Sequence, residues 1–196
     1  MQGGFLREVG RKLIHLTILF ALALYLVIER TYGKQTALLT IVGILVVFLI
    51  LEYLRLEHGY VHSFFEKFIR PKEQHSMYGA IFFLTGVIIS LAVFDVRIAF
   101  AAILMATFGD LAASLIGKKF GQTRIFRDKT VVGFISEFVV NLVVGFLVLS
   151  PTYAFYVTIT MATVASVVET FVDELDDNFL IPVMSGFVGQ ILSHLF

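Results

Sequence analysis

The sequence predicts an all-α integral membrane protein, a single polytopic domain over residues 1–196 with about seven transmembrane helices. Three observations predict it. Of 196 residues, 58% are hydrophobic and only 15% are charged, where a soluble domain carries about a quarter charged residues. Mean hydropathy is +0.91. Apolar runs close to the length of a bilayer span recur along the whole chain, and lysine and arginine cluster in alternate connections although the net charge is zero.

The expected spans are 10–28, 36–54, 77–94, 98–116, 131–149, 152–172 and 179–196. The first follows a basic stretch, as in a signal peptide. Its apolar run, Leu13 to Ile28, continues past the A-x-A triplet at Ala21–Ala23, which predicts a retained anchor. The stretch 59–70, GYVHSFFEKFIR, places Val61, Phe64, Phe65 and Phe68 at helical spacing against His62, Glu66, Lys67 and Arg70, the pattern of a short interfacial helix. Phe94–Arg97 and Ser150–Thr152 are tight connections, and Pro151 suits the first turn of the next helix. Asn178 is expected to end the sixth helix and Pro182 to begin the seventh.

Orientation follows from cation counts in short loops. With the N-terminus cytoplasmic, Arg7, Arg11, Lys12, Arg55, Lys67, Arg70, Lys72, Lys118, Lys119, Arg124, Arg127 and Lys129 lie inside. Arg30, Lys34 and Arg97 lie outside, as does the C-terminus. The chain has no cysteine, which excludes a disulfide framework, a thiolate nucleophile and a Cys-type zinc site.

Carboxylates inside spans are costly and mark a partner or a water-filled cavity. The ionisable residues in or at the edge of the spans are His15, Glu52, Asp110, Glu137 and Glu169, then Asp173, Glu174, Asp176 and Asp177. The expected topology puts all of them in the cytoplasmic half. A site fed from the cytoplasm predicts that one-sidedness, whereas a small transporter predicts polar groups in both halves and paired repeats. Asp110 shares a helix face with Ser114 and Gly117, at i+4 and i+7. Beyond it, 117–130 (GKKFGQTRIFRDKT) reads as a loop with five cations and two glycines, suited to phosphates by charge and by close backbone approach. It is not a Walker A motif. Glu169, Asp173 and Asp176 fall at i, i+4 and i+7, with Asp177 continuing the ladder. Such a stack calls for a cation, and hard oxygen ligands suit Mg²⁺. Glu174 reads as a solvated helix end. Two weaker signals are the face formed by Glu8, Lys12 and His15, and the pair Glu137 and Asn141 at i, i+4.

These residues carry a family resemblance. The chain resembles the CTP-dependent membrane lipid kinases: dolichol kinase, phytol kinase and the CTP-using diacylglycerol kinase. The match runs through FGDLAASLIGKKFG (108–121), Lys129-Thr130 with Gly133, Glu169 followed by Asp177-Asn178 and Pro182, RKLIHL (11–16) and EQHSMYGAIFFLTG (73–86), which opens on Glu73. The family pattern K-[ST]-x-E-G-S is broken here, because Val132 stands at the glutamate and Phe134 at the last serine. The same region is also similar to CDP-lipid synthases, which share the G-D and lysine-rich loop layout and use CTP.

The resemblance implies CTP as phosphoryl donor, Mg²⁺ as cofactor, and the hydroxyl of a membrane isoprenoid alcohol or diacylglycerol as acceptor. It implies catalytic roles for Asp110, Glu169 and Asp173, and metal ligation by these three with Asp177. Nucleotide binding falls to Gly117, Lys118, Lys119, Gly121, Arg124, Lys129, Thr130 and Asn178, with Lys12, His15, Glu73 and Glu137 as further site residues. No nucleic-acid partner is expected, and the oligomeric state is left open.

Overall fold

A computed structural model describes residues 16–58, 77, 79–150, 152–172 and 175–195. Its architecture is helical, as expected. Helix α1 spans Ile18–Tyr32 and α2 spans Lys34–His58, with Gly33 between them at φ 89°, a backbone conformation open to glycine. Next come α3 (Gly79–Val93) and α4 (Val96–Leu104). A π-helical turn, Met105–Gly109, leads from α4 without a break into α5, Asp110–Phe120. A small antiparallel hairpin of β1 (Arg124–Phe126) and β2 (Lys129–Thr130) precedes α6 (Val131–Leu149), α7 (Phe155–Phe171) and α8 (Asp177–Leu195).

Four of these runs are long and apolar enough to cross a membrane: Lys34–Glu57, Val96–Phe120, Val131–Leu149 and Asp177–Leu195. Gly79–Val93 and Phe155–Phe171 are shorter apolar helices. The expected interfacial helix at 59–70 lies outside the described residues, as do 10–15 of the first expected span.

The chain divides into two compact units, Met1–Ile88 and Ile89–Phe196. In the first, α1 and α2 pack together. In the second, α5 packs on α6, α6 on α7, α7 on α8 and α8 on α4, which closes a bundle. Its interior is built from small and medium apolar side chains, among them Ala99, Ala101, Ala102, Met161, Ala162 and Ala165, all fully buried. Small residues let apolar helices approach closely where no hydrophobic driving force separates helix from lipid. One end of this bundle is tied by hydrogen bonds. The Asp95 N–H donates to Gln190 Oε1 at 2.6 Å, and Tyr153 and Gln190 both donate to Asp95 Oδ2 at 3.2 Å. Burial and the neighbouring Asp95 carboxylate hold the Tyr153 phenol above its ordinary pKa.

The structure corrects three local expectations. Helix α5 continues through Lys118 and Lys119 to Phe120, so only 121–123 and the hairpin turn remain of the expected loop. The helix bearing Glu169 stops at Phe171, where Val172 turns to extended backbone (φ −96°, ψ 125°), so Asp176 and Asp177 do not continue its ladder. Asn178 does not end a helix. It lies in the first turn of α8, and Pro182 sits inside that helix. At the sixth position of α8, proline gives up the bond that an N–H would make to the Asn178 carbonyl four residues back.

Candidate active site

Five elements of the second unit deliver the polar residues: α5, the hairpin, α6, α7 and α8. The π-helical turn ends at Gly109, and Asp110 opens α5, buried. An added Cβ at Gly109 would overlap the side-chain oxygen of Asn141, so only glycine lets this turn lie against α6. Gly117 is packed as closely, with Thr130 Oγ1 at 3.1 Å and the Gly133 Cα at 3.2 Å from an added Cβ. Gly121 likewise abuts Thr130 Oγ1. These glycines bring α5, the hairpin and α6 together.

Thr130 caps α6, and its Oγ1 accepts the Gly133 N–H at 3.1 Å. The cap and the β1–β2 pairing fix the backbone on both sides of Lys129, whose Nζ donates to Glu169 Oε1 on α7. Lys129 is 39% exposed, Glu169 only 2%. Burial works against the Lys129 charge, but Glu169, Asp177 and Asp110 outweigh it and hold the ammonium above the usual lysine value.

The bundle thus assembles what lies far apart in sequence. Carboxylate oxygens of Asp110, Glu169 and Asp177, from α5, α7 and α8, all lie within 4.8 Å of one another. Asp177 arrives by a route the sequence does not suggest, since α7 stops at Phe171 and α8 begins at Asp177 with its carboxylate near that of Glu169. Asn178, buried next to it, donates through both its side-chain amide (2.7 Å) and its backbone N–H (3.1 Å) to Asp176 Oδ1.

A second polar layer lies on α6 and α7. Glu137 and Asn141 are fully buried. Asn141 Nδ2 donates to Ser166 Oγ at 3.1 Å and approaches Glu137 Oε1 at 3.5 Å. Glu137 is in electrostatic reach of Asp110, Lys129 and Asp177. Among the described residues, Glu137 Oε2, Asn141 Oδ1 and Glu169 Oε2 are buried acceptors without a hydrogen-bond partner. Buried acceptors left this way call for a cation, a donor ligand or water. Ser166 was missed by sequence reasoning. The signal was present, because Ser166 and Glu169 are i, i+3 on one helix.

The remaining candidates fall elsewhere. Lys118, Lys119 and Arg124 are exposed. Lys119 lies over the Phe120 ring at 5.2 Å, about half a turn round the helix from Asp110. Arg124 pairs with Thr130 across the hairpin. Asp173, His15, Lys12 and Glu73 lie outside the described residues.

Apolar helices closing round a carboxylate–lysine centre define a membrane protein with a buried polar site. Comparison with known proteins gives the family. The model of the cytidylyltransferase family matches residues 6–177, and the chain belongs to that family. It is 31% identical over 143 residues to a CTP-dependent diacylglycerol kinase 1 of Eremothecium gossypii, covering 69% of this chain and 44% of that protein. It is 25% identical over 210 residues to the Saccharomyces cerevisiae protein of the same name, covering 91% and 71%. An uncharacterized protein of Methanocaldococcus jannaschii is 30% identical over 189 residues, 93% of each chain. The chain thus spans less than half the length of the first of these relatives. No solved structure matches it.

Proposed function

We propose that the chain is a CTP-dependent lipid kinase, which moves the γ-phosphoryl group of CTP to the hydroxyl of a membrane isoprenoid alcohol or of diacylglycerol. The observation that carries this reading is the convergence of Asp110, Glu169 and Asp177 beside Lys129, in a chain similar to proteins named CTP-dependent diacylglycerol kinase. The proposed setting is one polytopic domain of seven spans with a cytoplasmic N-terminus. The uneven split of lysine and arginine supports that orientation.

Phosphoryl transfer needs positioning, charge neutralisation and an activated hydroxyl more than covalent chemistry from the protein. The donor set suits a hard divalent cation, since three carboxylates converge and the buried Glu169 Oε2 has no partner among the described residues. Asp110, Glu169 and Asp177 would hold Mg²⁺, with Asp173 the fourth ligand expected from the sequence, and Mg²⁺ when bound screens the charge of the polyphosphate. Lys129, half-exposed at the rim, meets the phosphates, and Lys118, Lys119 and Arg124 draw the nucleotide towards the hairpin. A carboxylate of the cluster accepts the alcohol proton as the lipid oxygen bonds to the γ-phosphorus. The bond from that phosphorus to the β–γ bridging oxygen breaks, and CDP leaves. The lipid enters sideways between helices, so its chain never leaves the apolar phase.

The family description favours one other reading, a cytidylyltransferase acting on a lipid phosphate. The products separate the two. Purified protein in lipid nanodiscs with γ-labelled CTP and a panel of lipid alcohols should yield labelled lipid and CDP. Release of labelled pyrophosphate with a lipid phosphate as substrate, and no labelled lipid, would establish the second reading instead.

A further inference from the structure

Carboxylates packed together repel one another, and inside an apolar bundle that repulsion is weakly screened. In this structure the opposing charge comes from the protein itself, where Lys129 Nζ pairs with Glu169 Oε1. The pairing is lopsided. Glu169 is 2% exposed and, among the described residues, its Oε2 has no partner, whereas 39% of the Lys129 side chain faces outward. The Lys129 backbone is fixed by the hairpin and by the Thr130 cap. Only its flexible side chain has to swing for the ammonium to leave, and its exposed side gives it an exit. An ammonium is a single charge with no fixed geometry, and a divalent cation competes well for oxygens arranged this way.

We propose that Lys129 is the resident counter-ion of the Asp110–Glu169–Asp177 cluster and is displaced by an arriving divalent cation, which frees its ammonium for a phosphate. The proposal rests on reading the cluster as a cation site. It gives the site an order, cation first and polyphosphate second. Without a cation the carboxylates stay neutralised and the lysine stays occupied.

The test uses the full chain in nanodiscs with Mn²⁺ alone and no nucleotide. Mn²⁺ binding is followed by the loss of its free electron-spin signal. The accessibility of the Lys129 amine is followed by acetylation and mass spectrometry, with the exposed Lys119 as internal reference. Saturating Mn²⁺ should raise Lys129 labelling several-fold and leave Lys119 unchanged. Lys129→Gln, which has no ammonium to displace, should bind Mn²⁺ about tenfold more tightly than the native chain. Binding by Lys129→Gln alone would overturn the displacement, since the native ammonium would then hold its place against the cation. Binding with unchanged Lys129 labelling and equal affinities would overturn it and leave the cation site standing. Mn²⁺ binding by neither protein would overturn both.

Discussion

Two ion pairs, one within a single helix and one from the β1–β2 hairpin to α7, differ in what they leave unpaired. In α2, Arg55 Nε and Nη2 donate to the two oxygens of Glu52 at 2.8 and 2.7 Å. The residues are three apart on one helix, both are buried, and both carboxylate oxygens are engaged. The pair between Lys129 and Glu169 joins residues 40 apart in sequence, leaves Glu169 Oε2 without a partner among the described residues, and stands within reach of two more carboxylates. A local bidentate pair neutralises itself and has nothing left to offer a ligand. A pair assembled by the fold, with acceptors to spare, is built to exchange its partner.

The largest effect should come from the second pair. Asp110→Ala or Glu169→Gln lowers CTP-dependent lipid phosphorylation by about 10³-fold, measured as labelled lipid from γ-labelled CTP, while the protein still elutes as a single folded species. Full activity in either variant would end the kinase assignment. Glu52→Gln inverts the pattern. It leaves Arg55 with a weakened partner and destabilises the fold by about 3 kcal/mol, read from unfolding in detergent, with turnover per folded molecule unchanged. Gly109→Ala touches no charge. Its methyl group drives Asn141 away from the π-helical turn, at a cost of about 2 kcal/mol in the same unfolding measurement.

The smallest effect lies at the tied end of the bundle. Tyr153→Phe removes one exposed hydrogen bond to Asp95 and about 1 kcal/mol. Because the folded phenol titrates above its ordinary value, its contribution is complete below that ordinary value. It is lost as pH rises through the folded value. Native protein should therefore lose stability at alkaline pH relative to Tyr153→Phe, and a constant gap between the two would show that Asp95 does not act on the phenol.

Much of this was readable from the residues alone, for a definite reason. Acids are scarce inside apolar helices, so Asp110, Glu137 and Glu169 stand out wherever helix ends are drawn. Their meeting was inferred from one helix face each, which needs only period 3.6. Asp177 was picked out for the wrong geometry. The ladder assumed an unbroken helix, and nothing in VETFVDELDDN announces the stop after Phe171. The hairpin was hidden too, because its turn places Arg127 at φ 46°, a conformation glycine or asparagine would have advertised. Gly117 and Gly121 were read as room for a phosphate. The room is filled by Thr130 and Gly133, an ambiguity inherent in glycine, which permits close approach without saying to what.

The π-helical turn at Met105–Gly109 sets a constraint of another kind. A π turn holds about one residue more than an α turn, so it delays the phase of everything after it by about 100°. Asp110 therefore takes the angular place that Gly109 would hold in a regular helix, in line with Ile98 and Ala102 on the buried side. The phase is set by the number of residues the run holds, while the side chains of the turn are constrained separately, as at Gly109. Deletion of one residue within MATFG lets the turn revert to α geometry with the site carboxylate at its present angle, whereas deletion of one residue from the regular helix before it turns that carboxylate by about 100° away from its partners, a fault of counting that no change in composition repairs.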